Sequence, residues 1–141
     1  MLSGENPYII DVKGRVKLPN KFKDDFGKKI IVTRGIDRCL FVFSEEKWRE
    51  LNDKMNTLTL AASLDIQRLL IGSKEELELD KQGRFLIPAN LRKYAALDKD
   101  VVVVGIGTRA EIWNSDNWEA FNDKLIENSE AITAKMETLG L

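Results

Sequence analysis

The chain has 141 residues, and its 22 basic and 23 acidic side chains give a formal net charge of −1. With 43% hydrophobic and 32% charged residues, the composition is that of a folded globular chain and excludes global disorder. The absence of histidine and the presence of one cysteine, Cys39, exclude a Ser-His-Asp triad, a Cys-His dyad and a zinc site built from these residue types.

Other common sites and signals are also missing from the sequence. No glycine-rich loop ends in Gly-Lys-Ser or Gly-Lys-Thr, and Gly105-Ile106-Gly107 lacks the third glycine of a dinucleotide site. A mechanism that uses only carboxylates stays open, although no pair of acids stands out. Apolar runs such as residues 101–104 are far shorter than the about 20 residues of a membrane span, and residues 1–6 do not resemble a secretory signal. We therefore predict a cytoplasmic protein that is not an enzyme and has no metal, cofactor, small-molecule substrate or membrane partner.

One pattern occurs twice along the chain. Residues 11–22 recur as residues 80–91, at a spacing of 69. The helical stripes that begin at Trp48 and Trp118 repeat at a spacing of 70. Identical residues in the two copies of the pattern are Asp11, Gly14, Arg15 and Pro19, and Asp80, Gly83, Arg84 and Pro88. The repetition predicts a first repeat at residues 1–56, a linking helix at 57–75 and a second repeat with a C-terminal helix at 76–141.

Each repeat is expected to begin with two strands joined by a tight turn at a glycine that takes positive φ, and a proline then opens a short helix. The predicted elements are strands at residues 8–12 and 76–80, turns at Gly14 and Gly83, strands at residues 15–18 and 84–87, and helical turns after Pro19 and Pro88.

The remainder of each repeat is predicted to form two further strands followed by an amphipathic helix. Strands are predicted at residues 29–33 and 40–43 and at 101–104 and 111–113, with turns at Gly35 and Gly105 and helix N-caps at Ser44 and Ser115. Both tryptophan stripes are expected to pack in the core or between subunits. Residues 131–141 are expected to continue the last helix, with an apolar side that docks on a neighbouring subunit.

Within the linking segment at 57–75, the helix itself is expected at residues 58–73 and contains Arg68. Arg68 either contacts DNA phosphate or, as we prefer, caps a helix or forms an ion pair within the fold.

The charge is unevenly distributed. Residues 10–34 carry eight basic and three acidic side chains, whereas residues 111–141 carry two basic and seven acidic ones. Such an asymmetry is typical of a protein with one face that attracts a polyanion. A solvated surface that is basic by chance would give the same pattern.

The motif Asp-x-x-Gly-Arg-apolar-x-apolar-Pro-x-x-apolar resembles the swapped-hairpin signature of the AbrB-like transcription factors. Two tandem copies in one chain resemble the MraZ family, regulators of the division and cell wall gene cluster. The resemblance implies an α+β, β-rich fold, a pseudo-twofold barrel of two AbrB-like repeats with short helices and a linking helix. It also implies a ring-shaped homo-oligomer, associated with the nucleoid, that binds G-rich direct repeats of double-stranded DNA in its own promoter.

In that family the element Asp-x-x-x-Arg falls on Asp11 with Arg15 and on Asp80 with Arg84. The planar guanidinium groups of Arg15 and Arg84 suit guanine O6 and N7, and the aspartates would orient them. The remaining candidate DNA-binding residues are Lys13, Lys17 and Lys81, which would contact phosphates, and Gly14 and Gly83 form the turns.

Two alternatives stay open at this point. The Asp-Arg pairs could serve only to staple the hairpins, as exposed ion pairs worth at most about 1 kcal/mol. The chain could also be an antitoxin-like or protein-binding barrel of the AbrB type, although its short helical tail does not resemble a disordered toxin clamp.

Overall fold

Residues 1–141 are all described by a computed structural model, in which eight strands form two sheets. The strands are β1 (Leu2–Ile9), β2 (Arg15–Lys17), β3 (Lys29–Arg34), β4 (Leu40–Ser44), β5 (Glu75–Glu78), β6 (Arg84–Leu86), β7 (Asp100–Gly107) and β8 (Ala110–Asn114). The helices are α1 (Lys23–Phe26), α2 (Glu45–Met55), α3 (Leu60–Leu70), α4 (Ala89–Tyr94), α5 (Ser115–Glu127) and α6 (Ser129–Glu137), with short 3₁₀ turns at Asn20–Phe22, Ile36–Arg38 and Ile71–Ser73. The fold is therefore mixed α+β and rich in sheet, as predicted.

The two repeats exchange strands. The larger sheet has six antiparallel strands in the order β1-β7-β8-β4-β3-β5, so that β1 of the first repeat pairs with β7 of the second and β5 of the second pairs with β3 of the first. Strands β4 and β8 meet at the centre, where Phe41 lies opposite Glu111. Interchanging the two repeats gives the same strand order read from the opposite edge of the sheet, so the sheet has an approximate twofold axis.

The second sheet is a two-stranded antiparallel ribbon of β2 and β6, also one strand from each repeat. Val16 lies opposite Phe85 at its centre, and these side chains are only 1% and 2% exposed. Beyond the ladder, the amide of Leu18 donates to the carbonyl of Gly83 and the amide of Ile87 donates to that of Gly14. Each tight turn is therefore tied to the other repeat.

The four central strands of the six-stranded sheet, β7, β8, β4 and β3, are buried on both faces, because their consecutive apolar residues point to opposite faces. Ile30 and Val32 face the core shared with the ribbon, where Val16 and Phe85 also lie. On the other face, Ile31 belongs to a second cluster. Members of that cluster from the strands and from α2 and α3 include Phe41, Phe43, Trp48, Met55, Leu70 and Trp113, and Trp118 and Phe121 of α5 pack against it. The layers are thus ribbon, sheet and helices, and the tryptophans are packing residues as expected.

Two helix starts show how far the repeat predicts local structure. The side chain of Ser44 accepts a hydrogen bond from the amide of Lys47 at 3.1 Å, as an N-cap does. The prediction for Ser115 was wrong, because β8 runs on to Asn114 and the Asn114 side chain caps α5 by accepting from the amide of Asn117 at 3.0 Å.

Several predicted boundaries also differ. The first strand is Leu2–Ile9 rather than residues 8–12, because β7 offers a partner along its whole length. The chain does not continue one C-terminal helix, since a break at Asn128 separates α5 from α6. No helix combines the length and the apolar character that would let it cross a lipid bilayer.

Gly105 is not a turn residue. It lies within β7 opposite Gly4 of β1, and the strand turns only after Gly107. A Cβ atom at Gly105 would clash with the backbone nitrogen of Ser3 and would lie 2.6 Å from the carbonyl carbon of Leu2. The absence of a side chain at this position allows the two strands to approach.

We predict that Gly105→Ala lowers the free energy of unfolding by about 1–3 kcal/mol, because backbone must move to relieve the clash. Urea unfolding followed by circular dichroism measures the change. The matched control is Gly72→Ala, where an added Cβ would meet its nearest atoms only at 3.9 Å. Equal stability of the wild type and Gly105→Ala would show that β1 accommodates a side chain there.

Candidate nucleic-acid interface

Two tight turns present the repeated motif. In the first, the amide of Gly14 donates to the carbonyl of Asp11, and the amide of Asp11 donates to the carbonyl of Arg15. The second turn has the equivalent bonds between Gly83, Asp80 and Arg84. Gly14 and Gly83 have φ values of 88° and 76°, a left-handed conformation that glycine adopts without steric cost.

A carboxylate holds each turn and its arginine together. Oδ1 of Asp11 accepts from the amides of Lys13 and Arg15 at 3.0 and 2.8 Å, and Oδ2 accepts from Arg15 Nε at 2.7 Å. Asp80 accepts from the amides of Gln82 and Arg84 and from Arg84 Nε, all at 2.9 Å. The terminal nitrogens of both guanidinium groups make no hydrogen bond, which leaves their outer edge available to a ligand.

The same hydrogen bonds lower the pKa of both carboxyl groups. For Asp11 the largest cause is the bond from the Arg15 amide, and the Arg15 side chain and the Lys13 amide add to it while desolvation opposes it. The pKa of Asp80 is lowered for the equivalent reasons, with the Arg84 amide first. Both groups are therefore ionised at any pH at which an ordinary aspartate is ionised. The set of hydrogen bonds that each carboxylate accepts from its turn and its arginine, here called the brace, persists at neutral pH.

Strand alternation places the arginines on the outer face of the ribbon. Because Val16 and Phe85 point inward, their neighbours Arg15, Lys17, Arg84 and Leu86 share the opposite face. The side chains of Arg15 and Arg84 are 31% and 35% exposed. They occupy diagonal positions of the ladder, whose Cα atoms lie about 7–8 Å apart.

The ribbon concentrates positive charge. Lys17 lies directly opposite Arg84 and has no acidic partner, although like charges in facing positions destabilise a strand pair. Lys13 and Lys81 are exposed in the two turns and are also free of ion pairs. The structure thus brings every predicted site residue to one ribbon and its turns.

Sequence reasoning missed Arg92 of α4, which covers the first turn. A Cβ atom on Gly14 would lie 2.5 Å from Arg92 Nη1 and 2.6 Å from Cζ. Arg92 Nε is buried there without a hydrogen-bond partner. At Gly83 the nearest atom to such a Cβ is the carbonyl oxygen of Leu18 at 3.7 Å, so the second turn is open.

It also missed Lys23 and Lys28, which line a groove of about 620 Å³ beside the second turn together with Lys17 and Lys81. The excess of basic residues over residues 10–34 was the one signal in the sequence that included them. Strand exchange brings these first-repeat lysines to the second-repeat turn.

Arg68 does not have the structural role preferred above. Its side chain is exposed and makes no hydrogen bond or ion pair. Arg34 takes that role instead, because its Nη2 donates to the carbonyl of Arg68 at 2.6 Å and its Nε donates to that of Leu69 at 3.2 Å. The end of α3 is capped by β3 rather than by its own arginine.

Elsewhere the chain has little that suggests another kind of site. No group of three or more Cys, Asp or Glu side chains is placed to hold a metal ion. Cys39 is buried, and burial raises the pKa of its thiol, so it stays protonated. The buried Glu111 accepts from Arg109 and from Trp113 Nε1 and is fully engaged.

A comparison with known protein families matches one family model twice along the chain, at residues 1–68 and 70–139, and its description is "MraZ protein, putative antitoxin-like". The chain belongs to the MraZ family. Full-length relatives named "Transcriptional regulator MraZ" include those of Acetivibrio thermocellus (42% identity over 144 residues) and Caldicellulosiruptor saccharolyticus (43% over 143). Another, from a Thermoanaerobacter species, is 41% identical over 143 residues, and all three alignments cover the whole of both chains.

These names describe transcriptional regulators and not enzymes, in agreement with the sequence prediction. The double match also agrees with the two repeats found in the sequence.

The brace predicts the titration of the aspartates in this MraZ-family chain. NMR of the side-chain carboxyl carbons should give midpoints for Asp11 and Asp80 below the ordinary value of about 3.9. Because the folded pKa is the lower one, the stabilisation is complete above the unfolded value and is lost as the pH falls through the folded value.

A substitution separates the two halves of the brace. In Arg15→Met the side-chain bond is removed and the amide of residue 15 remains, so the Asp11 midpoint should rise only part of the way and that of Asp80 should not move. A full return of Asp11 to the ordinary value would contradict the leading role of the backbone amide.

Proposed function

We propose that this MraZ-family chain is a sequence-specific DNA-binding transcriptional regulator of the division and cell wall gene cluster. It binds G-rich direct repeats in its own promoter, and Arg15 and Arg84 read the guanines. The observation that carries the proposal is the pair of braced arginines on the outer face of one ribbon, with their terminal nitrogens free.

The shape of this element suits duplex DNA. A two-stranded β-ribbon fits the major groove, where guanine presents O6 and N7 as paired acceptors. A guanidinium whose Nε is already bound to aspartate still offers its two terminal nitrogens to such a pair. Because the aspartate holds the side chain before binding, less rotamer entropy is lost on contact.

The lysines have a different task in this proposal. Lys13, Lys17 and Lys81 contact phosphates, which position the ribbon without reading sequence. Lys17 supports this assignment, because it has no acidic partner while Arg84 opposite it is already engaged by Asp80, so that a bound polyanion would supply the counter-charge.

Assembly completes the proposal. The sheet and the ribbon close into the pseudo-twofold barrel of the AbrB-like fold, and several copies form a ring in the cytoplasm, on the nucleoid. Linked hairpins that engage repeated sites raise avidity by roughly 10² to 10⁴. One apolar surface available for subunit contact lies on the C-terminal helices and tail, where Leu125, Ile126, Met136, Leu139 and Leu141 are exposed. No cofactor or small molecule takes part.

We predict that Arg15→Ala and Arg84→Ala each weaken binding to a fragment of the chain's own promoter by roughly 5- to 150-fold, since a bidentate guanine contact contributes about 1–3 kcal/mol. Fluorescence anisotropy at fixed salt measures the affinity. The matched control is Arg49→Ala, which removes an exposed arginine of α2 that has no ion pair. Wild-type affinity in both single variants and in the double variant would eliminate these arginines as readers.

A second candidate function is protein binding of the antitoxin kind, favoured by the family description and by the exposed apolar C-terminal helices. Purification from the native host under mild conditions, followed by light scattering, separates the two. A ring of this chain alone supports the regulator, and a second polypeptide in fixed stoichiometry supports the antitoxin-like function.

A further inference from the structure

The basic groove beside the second turn combines residues from both repeats. Lys17 comes from β2, Lys23 from α1, Lys28 from the link between α1 and β3, and Lys81 from the turn itself. The one acidic residue that lines the groove is Asp80, whose carboxylate is already engaged by Arg84. None of the four lysines forms an ion pair. Four cations therefore surround one opening without a counter-charge of their own.

The approximate twofold axis shows that this charge is not a by-product of the repeated fold. At the spacing of 69 residues, Lys17 corresponds to Leu86 and Lys81 corresponds to Val12, and both of these apolar residues are exposed. At these two positions exposed apolar residues stand beside the first turn where lysines stand beside the second, and the reverse exchange occurs once, at Lys13 and Gln82.

The third correspondence concerns the space beside each turn. Lys23 corresponds to Arg92, whose guanidinium lies against Gly14 and closes the space beside the first turn. Lys23 is exposed and leaves the equivalent space open. The two turns share their Asp-Arg brace but differ in their flanks, one covered and partly apolar, the other open and cationic.

Ammonium groups that line one groove repel each other, and a bound anion reverses the sign of that contribution. Lysine is a hydrated point charge on a flexible stem, which suits phosphate rather than the edge of a base. The volume of about 620 Å³ is ample for a phosphodiester with its sugars. A strand that runs past Arg84 would carry its phosphates past this opening.

We infer that the groove of Lys17, Lys23, Lys28 and Lys81 binds a backbone phosphate of the DNA strand read by Arg84, so that the groove beside the second turn, built from both repeats, carries the larger share of the salt-dependent contact. The inference rests on the proposed DNA binding and adds Lys23 and Lys28 to the interface. It assigns different tasks to two turns whose motifs are the same.

The test compares the full-length double variant Lys23→Gln/Lys28→Gln with the wild type by anisotropy titration of promoter DNA at several salt concentrations. For each groove that binds phosphate, the slope of log K against log salt should become shallower by about 0.9, and affinity at 0.1 M salt should fall about eightfold. The matched control is Lys54→Gln/Lys124→Gln, which removes the same charge from α2 and α5 on the opposite face of the sheet. Urea unfolding and light scattering of each variant show that fold and assembly are kept.

The outcomes separate this inference from the proposed function. Wild-type slope and affinity in Lys23→Gln/Lys28→Gln, together with weakened binding by Arg84→Ala, would overturn the phosphate groove and leave DNA binding intact. Equal losses in the groove and control variants would also overturn it, because net charge alone would then explain the effect. Failure of the wild type to bind promoter DNA at any salt concentration would refute both.

Discussion

The pairing of β2 with β6 is the interaction on which the rest of the molecule depends. The ribbon takes one strand from each repeat. Its register places Val16 and Phe85 in the core beneath the sheet and turns their neighbours Arg15 and Arg84 outward. A slip of one residue would put the arginines into the core and the apolar residues into water. Core packing and presentation of the charged face thus depend on the same register, and a shift of that register would destroy both.

Each aspartate then does several tasks with two oxygen atoms. Asp11 satisfies amides that the tight turn leaves without strand partners, and it also holds the guanidinium of Arg15. The turn and the arginine are consequently ordered together, since both depend on one carboxylate. These hydrogen bonds are the reason that the pKa of Asp11 is lowered.

Local features of the fold could be read from the sequence, and long-range ones could not. The repeated Asp-x-x-Gly-Arg motif predicted both turns and the contact of aspartate with arginine, because these residues are four positions apart. Gly105 was misread as a turn, since the strand that approaches it belongs to the opposite end of the chain. Arg34 rather than Arg68 caps α3 for a similar reason. Lys23 and Lys28 were not predicted as site residues, because only strand exchange brings them near Gly83. The repeated motif also indicated that the two turns have the same surroundings.

Covalent fusion of the repeats has an evolutionary corollary. In a dimer of two one-repeat chains encoded by one gene, the two turns would have to be identical, since any substitution would appear in both chains. Joining the copies in a single reading frame removes that obligation. Arg92 over Gly14 on one side and Lys23 beside Gly83 on the other are the visible result: a symmetric scaffold whose two ends have been free to mutate independently.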